Sequence, residues 1–147
     1  MRKQIALLVL LLLSMATVCS AQNAAQSETI HARRSLAISL LRAINTAEYD
    51  NKFKNGHFVD WDTLSESGLL DKALKLAAQN DPKVAGARFG KAPEILPGWH
   101  LRLNIHADGQ GYDVMLEDVT DAACHYAAGS DERGVIRQSK TIDCDLQ

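Results

Sequence analysis

Five histidines, three cysteines and a C-terminal group of acidic residues are the side chains here with most chemistry to offer. Their spacing joins few of them. His100 and His106 fall on one face of a strand-like stretch, but six residues of extended chain put them roughly 20 Å apart. They cannot share one small metal, and each reads as a solvated sheet-face residue. His31, His57 and His125 are the other three. No H-E-x-x-H, C-x-x-C or G-x-S-x-G occurs, so metalloprotease, redox and serine-hydrolase templates lack local support and no catalytic residue is assigned. Ala85 to Ala92, AGARFGKA, has the lysine of a phosphate-binding loop. It puts alanine where the first glycine and the magnesium-binding Ser or Thr must stand.

The cysteines depend on where the chain goes. Arg2 and Lys3, then the apolar run Ile5 to Leu13, then the small residues Ser14 to Ala21, are laid out as an export signal with cleavage after Ala21. The run is short for a membrane span of roughly 20 residues, so no stable span is expected once the signal is removed. Lipid anchoring at Cys19 is a secondary route, poorly served by Val18 before it. Residues 22–147 then form one domain, periplasmic or secreted. Cys124 and Cys144 remain, and two cysteines at an oxidising address pair most simply with each other. The loop they close, about 20 residues, contributes roughly 3 kcal/mol in the chain-entropy description.

The whole chain carries 16 Lys and Arg against 18 Asp and Glu; losing Arg2 and Lys3 with the signal takes the formal charge from −2 to −4. Mild acidity with no basic run argues against a nucleic-acid partner, and sparse aromatics leave no stacking platform.

Ser27 to Tyr49 is the element the rest must be built against. Ile30, Ala37, Leu40, Leu41, Ile44 and Ala47 recur at helical spacing, with Arg33, Arg34, Ser39, Arg42, Asn45 and Glu48 largely outside that stripe. Ser27 is the expected N-cap, and Asn55-Gly56 the stop. Phe53, Phe58 and Trp61 bracket that turn and are expected to fold back over the helix end. Asp60 caps a short helix to Ser67, Gly68 interrupts, and Leu69 to Asn80 is a second piece ended by Asp81-Pro82. Lys83 to Gly98 has no clean period and reads as a surface connection. From Trp99 the period becomes two: Trp99, Leu101, Leu103 and Ile105 face one way, and His100, Arg102, Asn104 and His106 the other. Asp108-Gly109 is a hairpin turn, with Tyr112, Val114 and Leu116 resuming the alternation. A turn on those two residues sets Leu103 opposite Val114; one centred a residue later sets it opposite Leu116. Across this hairpin Arg102 is expected opposite Glu117, and His106 opposite Asp113, in one or other register. Gly134 to Gln138 and Cys124 to Ala128 are the remaining strand candidates, with Ser130 to Gly134 as the turn between them. The fold class is therefore α+β: a long N-terminal helix on a three- to four-stranded antiparallel sheet, with short helices in the connection.

The helix SLAISLLRAINTAEY followed by a loop and WDTLSESGLL resembles the exposed half of the long first helix, and the αβ-loop after it, of type IV pilins and type II pseudopilins. The resemblance covers roughly Arg33 to Cys144. It implies a pilin-like head with an antiparallel sheet and a late cysteine pair, as Cys124 and Cys144 are placed. The chain departs from the prepilin pattern at its start: IALLVLLLLSMATV has neither the cleavage glycine nor the glutamate of the retained apolar stalk. Some pseudopilins hold calcium in C-terminal loops, which makes Asp118, Asp121, Asp131 and Glu132 the calcium candidates; the commoner use of such residues is in Asx turns, caps and a salt bridge to Arg133. No metal or other cofactor is otherwise expected.

The function expected is a non-enzymatic module, secreted or periplasmic, that binds or assembles with a protein partner at the cell envelope. The alternative is a small exported hydrolase or inhibitor acting through the loops at Lys83–Gly98 and Ser130–Gly134.

Overall fold

The computed structural model describes residues 2–84, 87, 89–122 and 124–139, with side chains from Thr29 onward apart from Asn80 and Lys83. The chain divides into two compact units, Met1–Arg34 and Ser35–Gln147. The first is helical, as the opening part of α1 (Arg2–Asn55). The helix therefore runs through Ser27 instead of being capped there, as the good helix formers Ala24, Ala25 and Gln26 allow. Among the described residues no helix is long and apolar enough to cross a membrane.

In the second unit the inner face of α1 carries Ala37, Leu40, Leu41, Ile44 and Ala47, all fully buried. Ile30, expected on the same stripe, is exposed. The helix stops at Asn55 because Gly56 takes a positive φ of 83° and its amide closes on the Lys52 carbonyl at 2.8 Å. Phe58 and Trp61 turn back into the core, but Phe53 stays 93 % exposed, on the outer side of the last helical turn. Helix α2 (Trp61–Glu66) starts where the Asp60 carboxylate accepts from the Thr63 amide at 2.8 Å. Gly68, at φ 71°, breaks the path before α3 (Leu69–Asn80), whose Leu69, Leu70, Ala73 and Leu74 are buried.

Five strands follow, not three or four: β1 (Glu94–Leu96), β2 (Trp99–Ile105), β3 (Tyr112–Asp118), β4 (Ala127–Asp131) and β5 (Arg137–Ser139). They form an antiparallel meander in chain order. The added strand is β1, inside the stretch expected to be a plain connection. Its prolines sit outside its three residues, and an edge strand tolerates them there. Pro97-Gly98, with Gly98 at φ 76°, makes the tight turn into β2. Ile95 and Val84 from this segment are core residues. β4 also begins later than expected and takes in Ser130 and Asp131, so the turn shrinks toward Gly134 at φ 72°.

The β2–β3 register sets Leu103 opposite Val114, as a turn on Asp108-Gly109 requires. Arg102 faces Met115 across the ladder and Asn104 faces Asp113, so the two expected charge pairs form on the diagonal. Arg102 Nη2 reaches Glu117 Oε2 at 3.5 Å, and His106 Nε2 lies 3.0 Å from Asp113 Oδ2. The inner sheet face, with Trp99, Leu101, Val114, Leu116 and Ala128, completes one core with α1, α2 and α3.

Candidate functional site: the outer face of the sheet

Strand pairing lines up residues that sequence spacing keeps apart. Arg102, Met115, Gly129 and Arg137 form one row across β2, β3, β4 and β5. Asn104, Asp113 and Asp131 form the next. Together they line a trough of about 380 Å³, extended along β5 by Gln138 and Ser139. Gly129 matters to its shape: a Cβ there would come within 3.0 Å of the Val114 carbonyl oxygen. The absence of a side chain lets β4 lie close to β3 and leaves Met115 as an apolar floor between two guanidinium groups.

The guanidinium groups are accessible, and those of Arg133 and Arg137 are ordered around a buried carboxylate, Asp131. Asp131 accepts from the Arg133 amide at 3.0 Å and from its Nε at 3.1 Å, and from Arg137 Nη1 at 3.2 Å. The Arg133 guanidinium, and then that of Arg137, hold the Asp131 carboxyl well below the usual carboxylate range, and Asp131 in turn raises the pKa of Arg133. Arg102 and Glu117 are both solvated, and such a pair contributes under about 1 kcal/mol. The hydrogen bond to Asp113 raises the His106 pKa. With Arg102 and Arg137 as donors, Asp113 as acceptor and Met115 beneath, the trough is equipped to recognise a polar partner by ion pairing over an apolar contact.

Asp118 and Asp131, two of the four calcium candidates, stand at opposite ends of the β3–β4 ladder, about 17 Å apart at strand rise. Asp118 accepts from Thr120 N at 3.0 Å and Oγ1 at 2.6 Å, and Asp121 Oδ1 accepts from Cys124 N at 3.0 Å. Glu132 lends its carbonyl to the Tyr49 hydroxyl. Among the described residues no three His, Cys, Asp or Glu side chains gather closely enough to hold a metal. The expected Cys124–Cys144 pairing falls on Cys144, which lies outside the described residues.

A second polar group went unread in the sequence. Ser39, Asn45 and Glu48, expected largely outside the apolar stripe of α1, are buried, Glu48 completely. Asn45 Nδ2 donates to Ser130 Oγ on β4, and the Tyr112 hydroxyl on β3 donates to Asn45 Oδ1, both at 2.8 Å. Glu48 Oε2 accepts from the Val59 amide at 3.2 Å, while Oε1 has no partner among the described residues. Burial pushes the Glu48 carboxyl up to about 7 and the Tyr112 hydroxyl far above its ordinary value. Ser39 Oγ donates to Asp81 Oδ2 at 2.7 Å, tying α1 to the end of α3 beneath a groove also lined by Arg42 and Leu76.

No family model, no curated protein and no solved structure matches the chain.

Proposed function

We propose that this chain is an exported, non-enzymatic module with a pilin-like head, closed by a Cys124–Cys144 disulfide, that binds a protein partner at the cell envelope through the outer face of its sheet. The order of elements supports the pilin-like reading: a long helix, a connection with short helices, then an antiparallel meander laid against that helix. The observation that carries the binding role is the row Arg102–Met115–Gly129–Arg137, which places two solvated guanidinium groups on either side of an apolar floor on the sheet face away from the helix.

The test is site-specific photocrosslinking in the cell that makes the protein. A crosslinker at Ser139, on the outer face in the trough, is expected to give one discrete adduct in the exported fraction. One at Leu76, on α3, is expected to give none. Adding Arg102→Glu and Arg137→Glu should abolish the adduct while the protein remains folded. No adduct at Ser139, or one that survives both charge reversals, defeats this reading.

A further inference from the structure

The C-terminal end of α1 holds a buried acid whose surroundings disfavour its charged form. Glu48 is 0 % exposed and projects from the core-facing side of the helix. An ionised carboxylate in such a place needs several donors or a cation. Among the described residues Glu48 has one donor, the Val59 amide at 3.2 Å, and its other oxygen has none.

The surrounding charges do not help. Asp60, on the connection between α1 and α2, opposes ionisation, and Tyr112 comes from β3. Tyr49 follows on α1 itself, with Asp131 and Glu132 beyond Tyr112. His57, on the same connection, is exposed, with Nδ1 3.0 Å from the Asn55 carbonyl oxygen. Lys52, one helical turn on, is the cation that spacing would offer. Its ammonium instead donates to the Gln110 carbonyl at 3.0 Å and lies 4.4 Å from the Phe58 ring centre. Asp131 is occupied by Arg133 and Arg137.

What Glu48 grips is a junction. The connection 56–60 is tied to α1 at two points, by Glu48 to Val59 N and by Asn51 Nδ2 to the His57 carbonyl at 2.9 Å. The same connection is tied to the tip of the β2–β3 hairpin, by Phe58 N to the Gly109 carbonyl at 2.9 Å and by Gln110 Nε2 to the Gly56 carbonyl at 3.1 Å. We infer that Glu48 is a proton-operated clasp: with its carboxyl protonated the connection is held between α1 and the hairpin tip, and on ionisation that junction opens to admit water to the carboxylate.

The direction follows from burial. The ordinary glutamate value of 4.5 is raised to about 7, chiefly by desolvation, so the closed form holds the proton more tightly than the open one. Closure is then most stable in acid and weakens as pH rises through neutrality. The inference concerns a face the proposed binding role does not use, and the two stand or fall separately.

Amide hydrogen exchange on the full chain tests it. Corrected for intrinsic exchange, the opening constant at Val59 N is expected to rise on the order of fiftyfold between about pH 5 and pH 8 in the wild type. In Glu48→Gln, which keeps the acceptor without the charge, it should stay flat. A flat wild-type profile, or a Gln variant that rises with it, overturns the clasp. Should the Gln variant not fold, the carboxyl carbon shift of Glu48 in the wild type decides: a midpoint near 7 supports the inference, and one near 4.5 overturns it.

Discussion

The amide of Asn45 allows a sharp test of how the helix is seated on the sheet. Its oxygen accepts from the Tyr112 hydroxyl and its nitrogen donates to Ser130 Oγ, each at 2.8 Å and each among buried atoms. Tyr112→Phe leaves a buried amide oxygen without its donor, and Ser130→Ala leaves a buried amine without its acceptor. Either orphaned group costs about 1–3 kcal/mol. Asn45→Leu, close in shape, orphans a hydroxyl on each side and falls in the same range. Changing all three together removes every member of the group at once. The triple variant should then lose far less than the three singles combined, and end within about 1 kcal/mol of the wild type. Urea unfolding followed by tryptophan fluorescence reads this directly, because Trp61 and Trp99 are both buried. The midpoint should shift with m unchanged. Additive losses in the triple variant would mean the three side chains do not act as one group, and the seating of α1 argued here would fall with them.

Two further outcomes follow from burial and charge. Leu41→Ala, on the fully buried inner face of α1, should cost about 2–5 kcal/mol, whereas Phe53→Ser, on a side chain 93 % exposed, should change stability by no more than about 0.5 kcal/mol; urea midpoints compare the two. Asp131 has a folded pKa depressed below its ordinary 3.8, so its contribution is present above that value and is lost as pH falls through the folded one. Thermal unfolding between about pH 5 and pH 2 should therefore show the wild type losing more stability on acidification than Asp131→Asn.

What could be read from the sequence, and what could not, divides by the range of the forces involved. The stop at Asn55-Gly56, the Asp60 cap, the break at Gly68 and the Asp108-Gly109 turn are local, each set by one residue's φ or one side chain's bond to a nearby amide, and all four lie where spacing puts them. The period-two pattern of β2 and β3 gave their faces for the same reason. Strand β1 escaped because three residues between two prolines show no period; Ile95 is buried only because the sheet beside it exists. The trough escaped because a row across four strands depends on three registers at once, and an error of one residue in any of them breaks it.

Asn45 and Glu48 show the limit most clearly. Helical spacing puts them beside the apolar stripe, and polarity alone argues for solvent. Asn45 is nonetheless buried because its partners stand 67 and 85 residues away, on strands that meet it only after the sheet has formed. An apolar stripe of Ala, Leu and Ile could slide along a sheet at little cost, since burial is proportional to area and indifferent to which methyl meets which. Asn45 removes that freedom. A slide of one helical turn would break both of its hydrogen bonds and leave three polar groups dry, a loss of several kcal/mol on orphaning costs of about 1–3 kcal/mol each. The same displacement would pull Glu48 off Val59 and open the junction it holds. The polar residues on the buried face therefore set where the helix sits, while the apolar ones supply the driving force for it to be there at all.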